Sequence, residues 1–89
     1  MDVLDNYRLQ INEIDEEIIK LILERNKVSK NIGKLKLKLN LPITNKVREK
    51  EVLNRIRKLA KKNNLDEKSI NLIYKNIIKQ SKLEQKKIK

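Results

Sequence analysis

The chain is predicted to be all-α, with three helices of which the first is very long, and three observations predict it. Apolar residues recur in steps of three and four at Leu4, Tyr7, Ile11, Ile14, Ile18 and Leu21, and again at Val28, Ile32, Leu35 and Leu39. That is the spacing of one helix face. No segment alternates with period two over a useful length, so no sheet is expected. The single proline, Pro42, and the polar stretch KKNNLD divide the chain into three parts.

The first part reads as one helix over about residues 3–39, roughly 50 Å long at 1.5 Å per residue. That length exceeds the usual globular helix and points to a partner-spanning or coiled-coil-like element. After NLPITN a second helix is expected over about 45–62, with Val52, Leu53, Ile56, Leu59 and Ala60 on one side. Thr44 or Asn45 is placed to cap it. A third is expected over about 66–87, capped by Asp66, carrying Ile70, Ile73, Tyr74, Ile77 and Ile78 and continuing towards Ile88. Gly33, the only glycine, falls inside the first helix at a cost of about 1 kcal/mol relative to alanine. It fits either tolerated drift or a close approach by another backbone or a ligand.

Eighty-nine residues suggest one domain, residues 1–89, near the lower limit of what a single core stabilises. Apolar residues make up 38%, nearly all Ile, Leu and Val, with two tyrosines and no Phe or Trp. Such a core is thin, and burial against a second chain would help it. Without cysteine there is no disulfide framework and no thiolate zinc site. Without histidine the usual general base and the commonest metal ligand are missing. No apolar run of about twenty residues is present to span a bilayer, and Met1 leads at once into acidic, helix-starting sequence rather than a secretory signal. A cytoplasmic protein without a membrane partner is expected. The net charge of +11 could mark a nucleic-acid footprint. Twelve acidic residues are interspersed among the basic ones, however, and Lys, Asn and Ile rise together as AT-rich codons would have it. The charge is read as solvated helix faces, with no nucleic-acid partner, and still attracts small anions.

The informative residues are polar ones in apolar places. Arg25 takes the position that the long repeat reserves for an apolar side chain. Residues four, seven and eleven apart share a helix face, so Ser29, Ile32 and Lys36 lie on its stripe. In the third helix the stripe through Tyr74, Ile77 and Ile78 continues at Ser81 and Gln85. In the second, Glu49 precedes Val52, Leu53 and Ile56 on the inner side, with Arg48 beside it. Any one of these alone reads as a structural arginine or a residue fixing helix register. Together they describe a basic, donor-rich pocket between three helices. Buried cations without enough carboxylates must find anions elsewhere, and arginine's planar fork suits carboxylates. The inference from the residues is a pocket for a small, multiply charged anion.

Taken in order, YRLQINEIDEEI, LERN, GKLK, the RE pair of the second helix and QSKLEQ resemble the all-helical, AroQ-type (type II) chorismate mutases. The resemblance covers essentially the whole chain, and the spacing of Arg8, Asp15, Arg25 and Lys36 fits without gaps. Each motif is weak alone; the ordered set is specific. The resemblance implies an intertwined homodimer with two equivalent sites, each completed by Arg8 from the partner. Arg8 lies about 25 Å along the helix from Arg25, too far for both to grip one small ligand within one chain. It implies an isomerase that rearranges chorismate to prephenate with no cofactor, metal or covalent intermediate, in phenylalanine and tyrosine biosynthesis. Arg25 and the partner's Arg8 would clamp the carboxylates, with Ser81 and Arg48 in support. Lys36 and Gln85 would donate to the ether oxygen, and Glu49 would accept from the ring hydroxyl. Asn45 departs from relatives that carry aspartate there and is a doubtful site residue. With the chain ending soon after the third helix, a monofunctional enzyme is expected.

Two alternatives stay open: a lyase of the same fold that eliminates pyruvate from isochorismate, and a non-enzymatic basic helical module. Glu49 as hydroxyl acceptor favours the mutase over the first. The second predicts basic residues on outer faces and nothing special about Ser81 or Gln85.

Overall fold

Each helix opens on a side chain that satisfies its own first turn. In the computed structural model, which describes residues 2–87, α1 runs Val3–Lys38, α2 Lys46–Lys62 and α3 Glu67–Lys86. Asp2 accepts from the Asp5 N–H at 2.8 Å, Asn45 from the Arg48 N–H at 3.0 Å, and Asp66 from the Ser69 N–H at 2.9 Å. Caps of this kind stabilise by about 1 kcal/mol each. Of the two candidates for α2, Asn45 is therefore the cap and Thr44 is not. Ile88, towards which α3 was expected to continue, lies outside the described residues.

The helix ends are also built locally. Asn40 and Asn64 adopt left-handed backbone, with φ of 56° and 57°. Behind each, a leucine N–H reaches back to close the last turn: Leu41 to the Lys36 carbonyl at 2.8 Å and Leu65 to the Ala60 carbonyl at 2.9 Å. This is the αL ending usually given to glycine, here taken twice by asparagine, which tolerates positive φ better than other side chains. Pro42 follows the first ending, where the chain no longer needs a helical N–H. Among the described residues there is no strand, and no helix is long and apolar enough to cross a membrane.

α3 is the hub: it packs against both α1 and α2, and these two make no helix–helix contact of their own. Among the described residues, Val52, Ile56 and Ala60 of α2 and Ile78 of α3 are the buried apolar side chains, with Leu53, Ile70 and Tyr74 packed against this cluster. The apolar stripe of α1 behaves otherwise. Tyr7, Ile11, Ile14, Ile18, Leu21, Val28, Ile32 and Leu35 are all exposed within the chain, whereas the buried residues of α1 are Ser29 and Gly33. α1 thus meets α3 along a small and largely polar seam; Val28 and Ile32 border the cleft beside it, and the rest of the apolar face looks away. Burial of Gly33 on this seam fits the close-approach reading of that residue.

The molecule is correspondingly extended. Its principal extents are 57 × 26 × 14 Å and its radius of gyration is 16.4 Å, against about 12 Å for a compact domain of this length. The accessible surface is 7696 Å², about 2,200 Å² more than a compact monomer of this mass exposes.

Candidate active site

The polar seam of α1, the start of α2 and the last turns of α3 enclose a cleft of about 440 Å³. α1 lines it with Arg25, Val28, Ser29, Ile32 and Lys36, and the α1–α2 loop with Ile43 and Asn45. α2 adds Arg48, Glu49, Val52 and Arg55, and α3 adds Ile78, Ser81, Lys82 and Gln85. Seven of the residues singled out from sequence therefore share one cavity: Arg25, Lys36, Asn45, Arg48, Glu49, Ser81 and Gln85. Arg8 is not among them. It lies on the first turns of α1, exposed, with its guanidinium 3.9 Å from Asp5.

Hydrogen bonds fix the donors. Arg25 donates to the Ser81 hydroxyl, which in turn donates to the Ile77 carbonyl at 3.2 Å. Ser81 is buried, so it orients the guanidinium across the α1–α3 seam. Lys36 Nζ donates to the Ile43 carbonyl at 2.7 Å and to Gln85 Oε1 at 3.0 Å. An ammonium carries three donors, so one is left for a ligand. Gln85 accepts through its oxygen and keeps its amide nitrogen to donate. Asn45 uses its side-chain oxygen as the α2 cap, which accounts for it structurally. Arg48 turns outward to Glu51 at 3.4 Å.

The cleft is strongly cationic. Among the described residues, Arg25, Lys36, Arg48, Arg55 and Lys82 line it with a single carboxylate, Glu49. Glu49 is engaged by Lys82, with Nζ to Oε2 at 3.4 Å. Cations crowded in a partly desolvated cleft attract and retain a small polyanion. Sequence reasoning missed Lys82 and Arg55. Lys82 follows Ile78 by four residues and precedes Gln85 by three, so the same stripe reading contained its signal.

The family described as Chorismate mutase type II matches residues 7–86. The chain belongs to the type II chorismate mutase family. It is accordingly an enzyme of the isomerase class. A chorismate mutase of Methanocaldococcus jannaschii is 41% identical over 86 residues, spanning 97% of this chain and 87% of the relative. A bifunctional chorismate mutase/prephenate dehydratase of Buchnera aphidicola subsp. Schizaphis graminum is 41% identical over 83 residues; these are 93% of this chain but only 22% of that longer protein. Among solved structures, one described as the NMR structure of monomeric chorismate mutase from Methanococcus jannaschii superposes with a TM-score of 0.71 at 37% identity. The match covers 97% of this chain and 90% of that one.

Beside Gln85, the chain buries a further carboxylate. Glu84 is held by Lys87 at 2.8 Å and by Lys30 of α1 at 3.8 Å. The Lys87 hydrogen bond holds its carboxyl below the ordinary value of 4.5, against the opposing effect of burial, and the charges of Lys87 and Lys30 add to the lowering. A lowered folded-state value means that ionised Glu84 contributes stability above the unfolded carboxyl range and loses it as pH falls through the folded value. The melting temperature of the native sequence should therefore drop more steeply below about pH 4.5 than that of Glu84→Gln. Parallel profiles would show that these contacts do not stabilise the end of α3.

Proposed function

We propose that the chain rearranges chorismate to prephenate in this cleft, and that the cleft is completed by Arg8 of a second copy. The observation that carries the reading is the convergence of Arg25, Lys36 and Gln85 from two helices on one cavity, with Glu49 opposite as an acceptor. The rearrangement is unimolecular: one C–O bond breaks as one C–C bond forms, and no proton is transferred. A chain without histidine is equal to that chemistry. What the protein must supply is a folded, pseudo-diaxial conformer and donors aimed at the ether oxygen, where negative charge accumulates. Arg25, supported by Ser81, binds one carboxylate, with Arg48 joining it on release of its exposed bond to Glu51, and the partner's Arg8 binds the other. Lys36 and Gln85 donate to the ether oxygen, and Glu49 accepts from the ring hydroxyl. Prephenate then serves phenylalanine and tyrosine synthesis.

The second copy is argued from the uncovered face of α1. Pairing two such faces would bury on the order of 4,400 Å², within the range of obligate dimers. The M. jannaschii structure described as monomeric makes a folded single chain a real comparison. Sedimentation equilibrium should give twice the chain mass of 10.6 kDa; a fully active species of single mass would overturn the shared site. Product analysis after incubation with chorismate tests the reaction. Prephenate is expected, and failure to convert chorismate would sink the proposal. Release of pyruvate from isochorismate instead would favour the lyase.

Gln85 offers a sharper test of the ether contact. An amide donates at any pH, whereas in Gln85→Glu only the protonated acid can donate. Lys36 lies 3.0 Å from the oxygen at this position and would favour the ionised form. Mutant activity should fall as pH rises from about 4 to 8, while the parent changes little across that range. Parallel profiles would mean that position 85 does not touch the reacting oxygen.

A further inference from the structure

Among the described residues Glu49 is the one carboxylate in a cleft with five cations, and its direction is not set by its sequence neighbour. Arg48, the adjacent cation, is committed outward to Glu51 at 3.4 Å. Lys82 engages Glu49 instead, from α3 across to α2, with Nζ 3.4 Å from Oε2. Both side chains are about two-thirds buried, at 31% and 29% exposure, so the pair is screened less than a surface ion pair. Lys82 also stands on α3 between Ser81 and Gln85 in register, each of which holds a donor of the cleft. One oxygen of Glu49 is thereby occupied, and the other is left to accept.

We propose that Lys82 is a positioning residue: it holds Glu49 so that its free oxygen meets the ring hydroxyl of the substrate, and it thereby sets selectivity for a hydroxyl-bearing dianion. This rests on the proposed mutase reading, in which Glu49 accepts from that hydroxyl. The physical reason is that Glu49, left without Lys82, has other cations to swing towards. A swing would leave the hydroxyl desolvated and unpaired, which costs more than the lost bond alone. Because the hydroxyl is bound similarly before and during the rearrangement, the loss should appear in KM with little change in kcat.

The test compares chorismate with a dicarboxylate ether analogue that lacks the ring hydroxyl, using the native sequence, Lys82→Met, Lys82→Gln and Lys82→Arg. Both uncharged variants are made so that one poor folder does not decide the matter, and circular dichroism checks each. Lys82→Met and Lys82→Gln should lower kcat/KM for chorismate about tenfold, mainly through KM, and lower the analogue's value by a clearly smaller factor, the share owed to the lost positive charge of the cleft. Lys82→Arg should restore most of the loss. Lys82→Met added to Glu49→Gln should cost no more for chorismate than Lys82→Met costs for the analogue. An equal loss for both substrates, or no loss for chorismate, would overturn the positioning role. If the native enzyme turns over the two substrates alike, the hydroxyl assignment of Glu49 itself fails, a result visible without any Lys82 variant.

Discussion

Arg25→Ala and Lys36→Ala should each lower kcat/KM by two to four orders of magnitude while the helices remain intact. The size of the loss follows from what each cation faces. Stranding a substrate carboxylate, or an ether oxygen gaining charge, removes about 3 to 5 kcal/mol of transition-state stabilisation. Local losses are smaller. Arg25 gives up its bond to Ser81, and Lys36 its bonds to Ile43 and Gln85, but neither contributes to the apolar core of Val52, Ile56 and Ile78. Far-ultraviolet circular dichroism and a thermal melt separate folding from catalysis. Near-normal turnover in a well-folded Arg25→Ala protein would remove this cleft as the active site.

Mixing two inactive variants should restore activity. Arg8 is about 25 Å along α1 from Arg25 and lies outside the cleft of its own chain, so it is expected to act on the partner's site. Arg8→Ala and Arg25→Ala homodimers should both be nearly inactive. When they are unfolded and refolded together in equal amounts, half of the dimers should be mixed. In each mixed dimer one site lacks both arginines. The other combines Arg25 from the first chain with Arg8 from the second and is intact. Two-fold symmetry and random pairing then return about a quarter of the native activity per chain. Native mass spectrometry measures the mixed fraction directly. Mixed dimers without activity would show that Arg8 does not serve the partner.

The α1 stripe and the αL turns show which parts of the structure could be read in advance. Period three-four along residues 3–39 was enough for a long helix, because the apolar spacing of a helix face is a local property of the chain. Asp66 as a cap was legible for the same reason, since it acts on an N–H three residues away. Asn40 and Asn64 carried a weaker signal: an asparagine after a basic stretch marks a helix end only when its backbone is seen to be left-handed.

By itself, then, the sequence determined the three helices and the polar interruptions at Arg25, Lys36, Glu49, Ser81 and Gln85. These depend on spacing within one helix or on composition. The tertiary structure decided how those interruptions meet. Only the placing of α3 between α1 and α2 brings Gln85 to Lys36, Ser81 to Arg25 and Lys82 to Glu49. It also decided that Ser29 and Gly33, not the isoleucines and leucines of the three-four repeat, are the buried residues of α1 within the chain. Periodicity tells that a helix has an apolar face but not which body covers it, because that choice depends on contacts between residues far apart in sequence.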